Sequence, residues 1–139
     1  MPISKGITRV IIAGSRNFND YPRLEKSVIE ILKKIRPSKE LEIISGTANG
    51  ADKMGERFAL KYNVKIKRFP AQWDIYGKRA GYVRNNLMSE YAMENDNHGV
   101  LIAFWDGKSK GTKMMIDIAE RNGLEVFVIN YNEENGNDV

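Results

Sequence analysis

Two segments of the chain combine glycine, hydroxyl groups and cations, the composition of loops that bind phosphate. One is Gly14-Ser15-Arg16, and the other, residues 106–112, contains Lys108, Ser109, Gly111 and Thr112. Glycine lets the backbone approach a ligand closely, and a guanidinium offers parallel N–H groups to a phosphate or carboxylate. The second segment also opens a helix, whose free N–H groups and positive dipole end attract anions. We therefore expect both segments to bind a phosphate-bearing ligand.

Each of these segments also has a purely structural interpretation. The first could be a plain turn after a strand, with Arg16 as a surface cation. In the second, Ser109 or Thr112 could cap the helix, which is worth about 1 kcal/mol. A capped helix can still bind an anion, so the structural interpretation of the second segment does not exclude the functional one.

A third glycine-bearing turn, residues 45–52, also leads into a helix. It contains Gly46, Thr47 and Gly50 but fits neither the G-x-G-x-x-G pattern of dinucleotide sites nor the G-x-x-x-x-G-K-[ST] phosphate loop. Asp52 has two interpretations of equal weight. It either complements the positive end of the helix dipole or accepts hydrogen bonds from the hydroxyl groups of a ribose.

A basic and aromatic stretch lies between residues 70 and 85. Trp73 is followed by Arg79, and rings beside cations can stack on a base and hold its phosphate, or can simply plug a long loop. Arg84 and Asn85 follow in the first turns of a predicted helix. An arginine near a helix N-terminus opposes the dipole, which suggests that Arg84 has another purpose.

The elements that must position these residues form an alternating series of strands and helices. Four amphipathic helical segments, marked by apolar residues at helical spacing, separate five apolar segments. This alternation predicts an α/β fold of the three-layer Rossmann-like type, with a five-stranded parallel sheet in the order 3-2-1-4-5 and helices on both faces. The predicted strands are residues 9–13, 41–45, 64–69, 99–105 and 124–129.

The predicted strand order brings the two phosphate-type segments together. Ligands of open parallel sheets bind outside the carboxyl ends of the strands, where the strand order reverses. Here the reversal falls between the first and fourth strands, which are followed by residues 14–16 and 106–112. Lys65 and Lys67 in the third strand favour an edge position, because charge discourages further pairing.

Composition excludes several classes of protein. The 139 residues contain no cysteine and one histidine, so disulfides, thiolate catalysis and zinc sites are excluded. No apolar run is long enough to span a bilayer, so we expect a cytoplasmic protein without a membrane partner. The net charge of +4 favours an anionic partner. We expect one ligand-binding domain over residues 1–130 and a flexible acidic tail over residues 131–139.

Four motifs resemble a known family when they are taken in order. They are Val10-Ile11-Ile12-Ala13-Gly14-Ser15-Arg16, residues 45–52, residues 80–88 and Lys110-Gly111-Thr112. Together they are similar to the YspA/YpsA-related branch of the SLOG superfamily, over roughly residues 8–130. The resemblance implies a Rossmann-like domain related to the DNA-processing protein DprA, to the lysine-decarboxylase-like phosphoribohydrolases and to sensors of nucleotide-derived signals. It also implies a nucleotide pocket built from Gly14–Arg16, Gly46–Asp52, Arg84, Asn85, Gly111 and Thr112.

One departure from the phosphoribohydrolase relatives concerns catalysis. The resemblance to these relatives implies that a catalytic glutamate would stand at the position occupied here by Met115. Methionine cannot transfer a proton. Asp117 lies two residues further along, about 200° around the helix, and is a poor substitute. The familiar route of N-glycosidic cleavage is therefore not expected.

These features favour binding or sensing of a nucleotide-like small molecule, and two alternatives remain open. The chain could hydrolyse the N-glycosidic or phosphate bond of a nucleotide through Asp52, Arg84 or Asp106, with Mg²⁺ as a cofactor. It could instead bind single-stranded DNA in the manner of DprA. Relatives of this kind often pair, so a homodimer is also an expectation.

Overall fold

The computed structural model describes residues 6–131, in which strands and helices alternate. Most of the predicted acidic tail lies outside the described residues. Two short 3₁₀ turns, Gly77–Arg79 and Glu94–Asp96, flank the fourth helix. The strands are β1 (Thr8–Gly14), β2 (Leu41–Ser45), β3 (Lys65–Arg68), β4 (His98–Trp105) and β5 (Glu125–Asn130), and the helices are α1 (Tyr21–Ile35), α2 (Ala51–Lys61), α3 (Trp73–Tyr76), α4 (Ala80–Met93) and α5 (Lys110–Arg121).

The five strands form one sheet in the order β3-β2-β1-β4-β5, and every pairing is parallel. This confirms the predicted α/β fold and strand order. The central strand β1 pairs with β4 along its whole length, from Thr8 opposite His98 to Gly14 opposite Phe104. The carboxyl ends of β1 and β4 are therefore adjacent, as a ligand site at the reversal of strand order requires.

Alternating side chains of β1 divide the core into two layers. Val10 and Ile12 pack in one apolar cluster with residues of α1 and α2. Ile11 and Ala13 pack in the other cluster with residues of α4 and α5. Successive side chains of a strand point to opposite faces, so an unbroken apolar run is what a strand covered on both faces needs.

The two edge strands differ in character. β3 is shorter than the predicted 64–69 and keeps its alternating cations, with Lys65 and Lys67 exposed. β5 is more exposed than a central strand, and Val128 retains 44% of its accessible surface. No helix among residues 6–131 has the length and apolar character needed to cross a membrane.

Two local expectations were wrong. The connection from residue 70 to residue 80 contains α3, which is too short to show helical periodicity in a sequence. Helical spacing in the sequence predicts an apolar stripe of Ala80, Val83, Leu87 and Tyr91 in α4, yet Leu87 is 45% exposed while Met88 and Ala92 are fully buried. Apolar residues occur on several sides of α4, so their spacing alone did not identify the side that faces the sheet.

A buried arginine fixes α4 on the sheet. The Arg9 guanidinium donates to the Tyr91 carbonyl oxygen at 2.7 Å and lies 3.6 Å from the centre of the Tyr91 ring. It also pairs with Glu42 at 2.9 Å and with Glu94 at 3.0 Å. Removing one partner of a buried pair costs about 3–5 kcal/mol. This network holds the register of α4, the helix that carries Arg84 and Asn85.

Candidate functional site

Ser15 ties together the three turns at the reversal of strand order. Its backbone N–H donates to Phe104 at 3.0 Å, and its carbonyl oxygen accepts from Ala51 at the start of α2. Its hydroxyl accepts from the backbone N–H of Asp106 at 3.2 Å. The side chain is buried and is not part of the cavity wall. Ser15, predicted to bind the ligand, therefore positions the loops that surround it.

The loops after β1 and β4 line a single cavity of about 380 Å³. Gly14 and Arg16 line it from the loop after β1, and Ser109, Gly111 and Thr112 line it from the start of α5. The volume lies in the usual range for small-molecule sites, about 300–1,000 Å³. The structure thus brings together the two segments that the sequence analysis singled out.

Cationic side chains dominate the polar part of this cavity. Arg16, Lys78, Arg79 and Arg84 line it, and among the residues that the structure describes Asp52 is its one acidic side chain. The Arg84 guanidinium donates through Nη1 to the Gly46 carbonyl oxygen at 2.5 Å and through Nε to Asn85 Oδ1 at 2.9 Å. These bonds fix Arg84 in place, and the cavity wall as a whole attracts anions.

Asp52 lies against Arg84 at the base of the cavity. Its Oδ2 accepts from the Ala48 backbone N–H at 3.2 Å, and a Cβ atom at Gly46 would lie 2.8 Å from that oxygen. Burial raises the pKa of Asp52 to about 6, although the Ala48 hydrogen bond and the charge of Arg84 oppose the rise. Asp52 can therefore exchange a proton near neutral pH, which an ordinary exposed aspartate does not do.

Asp106 has a different role from the one considered in the sequence analysis. Its Oδ1 accepts from the backbone N–H groups of Lys108 at 2.8 Å and Ser109 at 2.7 Å. Burial alone would raise the pKa of Asp106, but these hydrogen bonds and that with Ser15 lower it below the usual value. The side chain shapes the loop before α5 and does not line the cavity.

The start of α5 leaves backbone donors at the cavity. Ser109 caps the helix, because its hydroxyl accepts from the Thr112 N–H at 3.5 Å and lies 3.2 Å from the Thr112 hydroxyl. The first intrahelical bond runs from Lys113 to Ser109, so the N–H groups of Lys110 and Gly111 precede it. Capping by Ser109 therefore does not use the Gly111 N–H, which lies at the cavity.

The remaining wall of the cavity is apolar and aromatic. Trp73 and Tyr82, which are 52% and 44% exposed, stand at the rim. Met88, Met114 and Met115 line the interior, and Met115 is almost completely buried. Aromatic and thioether groups suit the flat face of a base. The position that would carry the catalytic glutamate of phosphoribohydrolases is thus part of an apolar surface.

A smaller recess of about 270 Å³ opens beside the cavity. Both are lined by Arg16, Trp73 and Arg84, and the recess adds Gly46 and Thr47 of the turn before α2. Thr47 has a φ of 66°, in the left-handed region that β-branched residues rarely adopt. Such strain costs on the order of 1–3 kcal/mol and tends to occur at functional sites.

Several predicted residues lie elsewhere or serve another purpose. Gly50 lines neither the cavity nor the recess, and the Lys108 side chain lines a neighbouring groove. Gly14 does line the cavity, but a Cβ atom there would lie 2.2 Å from the Phe104 carbonyl oxygen. The close packing of β1 against β4 therefore explains by itself why position 14 is a glycine.

Sequence reasoning missed Tyr82 and the methionines as wall residues. Tyr82 lies inside the motif that carries Arg84, and Met115 lies at the helical spacing that is typical of core residues. Their signal was an aromatic ring within that motif and three flexible thioethers, Met88, Met114 and Met115, in or just after the motifs that carry the polar groups. Apolar and aromatic residues of a helix belong to the core more often than they contact a ligand. The sequence alone therefore did not distinguish these two roles.

Comparisons with known proteins agree with this architecture. Residues 8–76 match the model of the YspA, cpYpsA-related SLOG family. The Gene 61 protein of Mycobacterium phage D29 is 31% identical over 124 residues, which are 86% of this chain and 94% of the phage protein. The chain belongs to the SLOG family. No solved structure matches it.

The SLOG match covers one side of the cavity. It includes the loop after β1 and the turn before α2, and it ends before Arg84 and α5. The motif resemblance noted in the sequence extended further, over roughly residues 8–130. Membership of the SLOG family points to a nucleotide-related function.

Proposed function

We propose that this SLOG domain binds or senses a nucleotide-derived small ligand whose phosphate lies between the loop after β1 and the start of α5. The proposal rests on one observation. Cationic groups outnumber acidic groups around a single cavity, which lies where the strand order reverses. Arg16, Arg79 and Arg84 line the cavity, and Asp52, the one carboxyl group in its described wall, has a raised pKa that leaves part of it neutral near pH 6. An anion is the ligand that such a wall favours.

The phosphate has two sets of donors available. The Gly111 N–H at the start of α5 is one, and the guanidinium groups of Arg16 and Arg84 are the other. Burial and the nearby Arg16 both lower the pKa of Arg84, while Asp52 opposes this. Two guanidinium groups that repel each other across a cavity are relieved by an anion between them.

The rest of a nucleotide also has partners in the cavity. Trp73 and Tyr82 at the rim and the methionines inside offer an apolar surface to a base. Asp52 and Asn85 supply an acceptor and an amide for the hydroxyl groups of a ribose. The cavity wall thus offers both polar and apolar surface, as an amphipathic ligand requires.

Calorimetry and thermal unfolding with AMP, ADP-ribose and NAD test the proposal. We expect at least one of them to bind the wild-type chain and to raise its melting temperature. Arg84→Gln should weaken that binding about tenfold or more, because a charged hydrogen bond contributes about 1.5–3 kcal/mol. The matched control is Arg57→Gln, which removes a guanidinium that lies 4.0 Å over the Tyr21 ring on α1, outside the cavity. No binding of any nucleotide, or equal binding by wild type and Arg84→Gln, would contradict the proposal.

A second candidate function, nucleotide hydrolysis, is favoured by Asp52 alone. A carboxyl group with a pKa of about 6 inside the cavity can act as a general base near neutral pH. Incubation of the chain with AMP, ADP-ribose and NAD, followed by assays for free base and free phosphate, tests this second function. Hydrolysis should increase as pH rises through 6 and disappear in Asp52→Asn. Binding without any release of base or phosphate would leave sensing as the function.

Magnesium does not fit the side chains of this cavity as a resident cofactor. Among residues 6–131 no group of three or more acidic or histidine side chains is placed to hold a metal ion. Asp52 is the one carboxyl group in the described cavity wall, and it is partly neutral near pH 6. Hydrolysis in this cavity would therefore rely on Asp52 and not on a resident metal ion.

A further inference from the structure

A second groove of about 410 Å³ continues from the nucleotide cavity along the outer side of α5. Tyr82 and Met114 line both openings, so the two are contiguous. The loop that ends at Ser109 separates them, with Gly111 on the side of the cavity and Lys108 on the side of the groove. A ligand long enough to extend from the first cavity past Tyr82 would therefore reach the second groove.

The groove has an excess of positive charge. It is lined by Lys108, Lys110, Lys113 and Arg121, and by one acidic side chain, Asp117, among the described residues. Asp117 is neutralised within the groove, since it pairs with Lys113 at 2.7 Å. In the described part of the chain the other three cations form no ion pair.

The floor of the groove is held by a hydrogen bond within the protein and by the core beneath α5. The Trp105 indole N–H donates to the Ser109 carbonyl oxygen at 3.0 Å, which fixes the ring against the loop. Ile118 is 1% exposed and belongs to the core beneath α5. A rigid aromatic and apolar base beneath cations favours an anionic group attached to a flat or apolar body.

We propose that this groove is a second anionic subsite, so that the ligand is a dinucleotide-type molecule with two separate anionic groups. The first phosphate lies at the start of α5, as in the proposed function on which this inference rests. The second lies beside Lys108, Lys110 and Arg121. A small ligand is favoured over a polymer because all four cations lie within residues 108–121 and the groove shares its wall with the nucleotide cavity.

Calorimetry with AMP and with 5′-phosphorylated diadenylate tests the second subsite on the full chain. We expect the diadenylate to bind the wild-type chain about tenfold tighter than AMP, since each further 1.4 kcal/mol of binding is tenfold in affinity. Arg121→Glu should reduce the diadenylate affinity to that of AMP and leave AMP binding unchanged. Arg121 is exposed at the end of α5 and lies outside the nucleotide cavity, so the variant should fold.

The control is Lys26→Glu on α1, which changes the net charge equally at an exposed position outside the groove. It should retain the tenfold difference between the two ligands. Equal affinities for AMP and diadenylate, or an unchanged difference in Arg121→Glu, would overturn the second subsite alone. Absence of binding by AMP, ADP-ribose, NAD and the diadenylate alike would overturn the proposed function and this inference with it. An affinity that keeps rising with oligonucleotide length would overturn the small-molecule assignment in favour of single-stranded nucleic acid.

Discussion

Asp52 and Asp106 show how the surroundings give two carboxyl groups opposite properties. Burial at the base of the cavity raises the pKa of Asp52 to about 6. Backbone hydrogen bonds from Ser109 and Lys108 overcome the effect of burial at Asp106 and lower its pKa. Sequence reasoning treated both as candidate catalytic groups. It could not separate them, because the difference depends on burial and on hydrogen bonds that only the folded loops create.

The raised pKa of Asp52 predicts a specific dependence of stability on pH. The folded chain holds this proton up to about pH 6, while the unfolded chain loses it near the ordinary aspartate pKa of 3.8. The folded state therefore binds more protons between these values, and the free energy of unfolding falls as pH rises through them. Asp52→Asn cannot titrate, so relative to wild type it should gain on the order of 3 kcal/mol between pH 4 and pH 7.

Urea denaturation at pH 4 and pH 7 measures this gain. Asp106→Asn is the matched control, because hydrogen bonds lower the pKa of Asp106 below its ordinary value, whereas burial raises that of Asp52. Its stability relative to wild type should therefore stay nearly constant over the same interval. If the difference between Asp52→Asn and wild type is the same at both pH values, the burial of a titrating Asp52 is refuted.

At the scale of elements, the turns before α2 and α5 use glycine for different purposes. Gly50 has a φ of +83°, and a Cβ atom there would lie 2.4 Å from the Ser15 carbonyl oxygen and 2.6 Å from that of Arg16. Gly111 has nothing within 4 Å of a Cβ atom and faces the cavity. The first glycine lets two loops meet, and the second leaves room for a ligand.

Alanine at these two positions should therefore give opposite results. Gly50→Ala should lower the free energy of unfolding by about 2 kcal/mol or more, because it adds both strain and overlap. Gly111→Ala should leave stability unchanged or raise it by about 0.5–1 kcal/mol, since alanine favours a helix. It should also weaken nucleotide binding about tenfold or more, because its methyl group would occupy the cavity.

Urea denaturation and calorimetry on both variants check these expectations, and each variant is the control for the other. A stable Gly50→Ala would show that the two loops are not in contact. Undiminished nucleotide binding by Gly111→Ala would show that the ligand does not approach the start of α5.

Sequence patterns predicted most elements but not all their orientations. Continuous apolar runs such as residues 10–13 located the central strands, and the lysines of β3 placed it at an edge, because both signals follow directly from burial on two faces or one. The exposed side of α4 was not predictable. Its register depends on the network of Arg9, Glu42 and Tyr91, whose members lie far apart in the sequence.

At the scale of the whole molecule, the strand order creates the site. The order β3-β2-β1-β4-β5 places the ends of β1 and β4 side by side, and α2, α4 and α5 then close the cavity around them. The position of the cavity could be predicted from the sequence. The hydrophobic pattern predicts the strand order, and ligands of open parallel sheets bind where that order reverses. The rim formed by Trp73 and Tyr82 could not be predicted, since it depends on how α3 and α4 pack beside the sheet.

The central claim is that one phosphate lies between the loop after β1 and the start of α5. Titration of the ¹⁵N-labelled chain with AMP, followed by amide chemical shifts, tests it most directly, with adenosine as the control that lacks the phosphate. We expect the amide signals of Gly14, Arg16, Gly111 and Thr112 to move together with a single dissociation constant, and those of Gly111 and Thr112 to stay in place with adenosine. Shifts confined to one of the two segments, or located away from the cavity, would contradict the account.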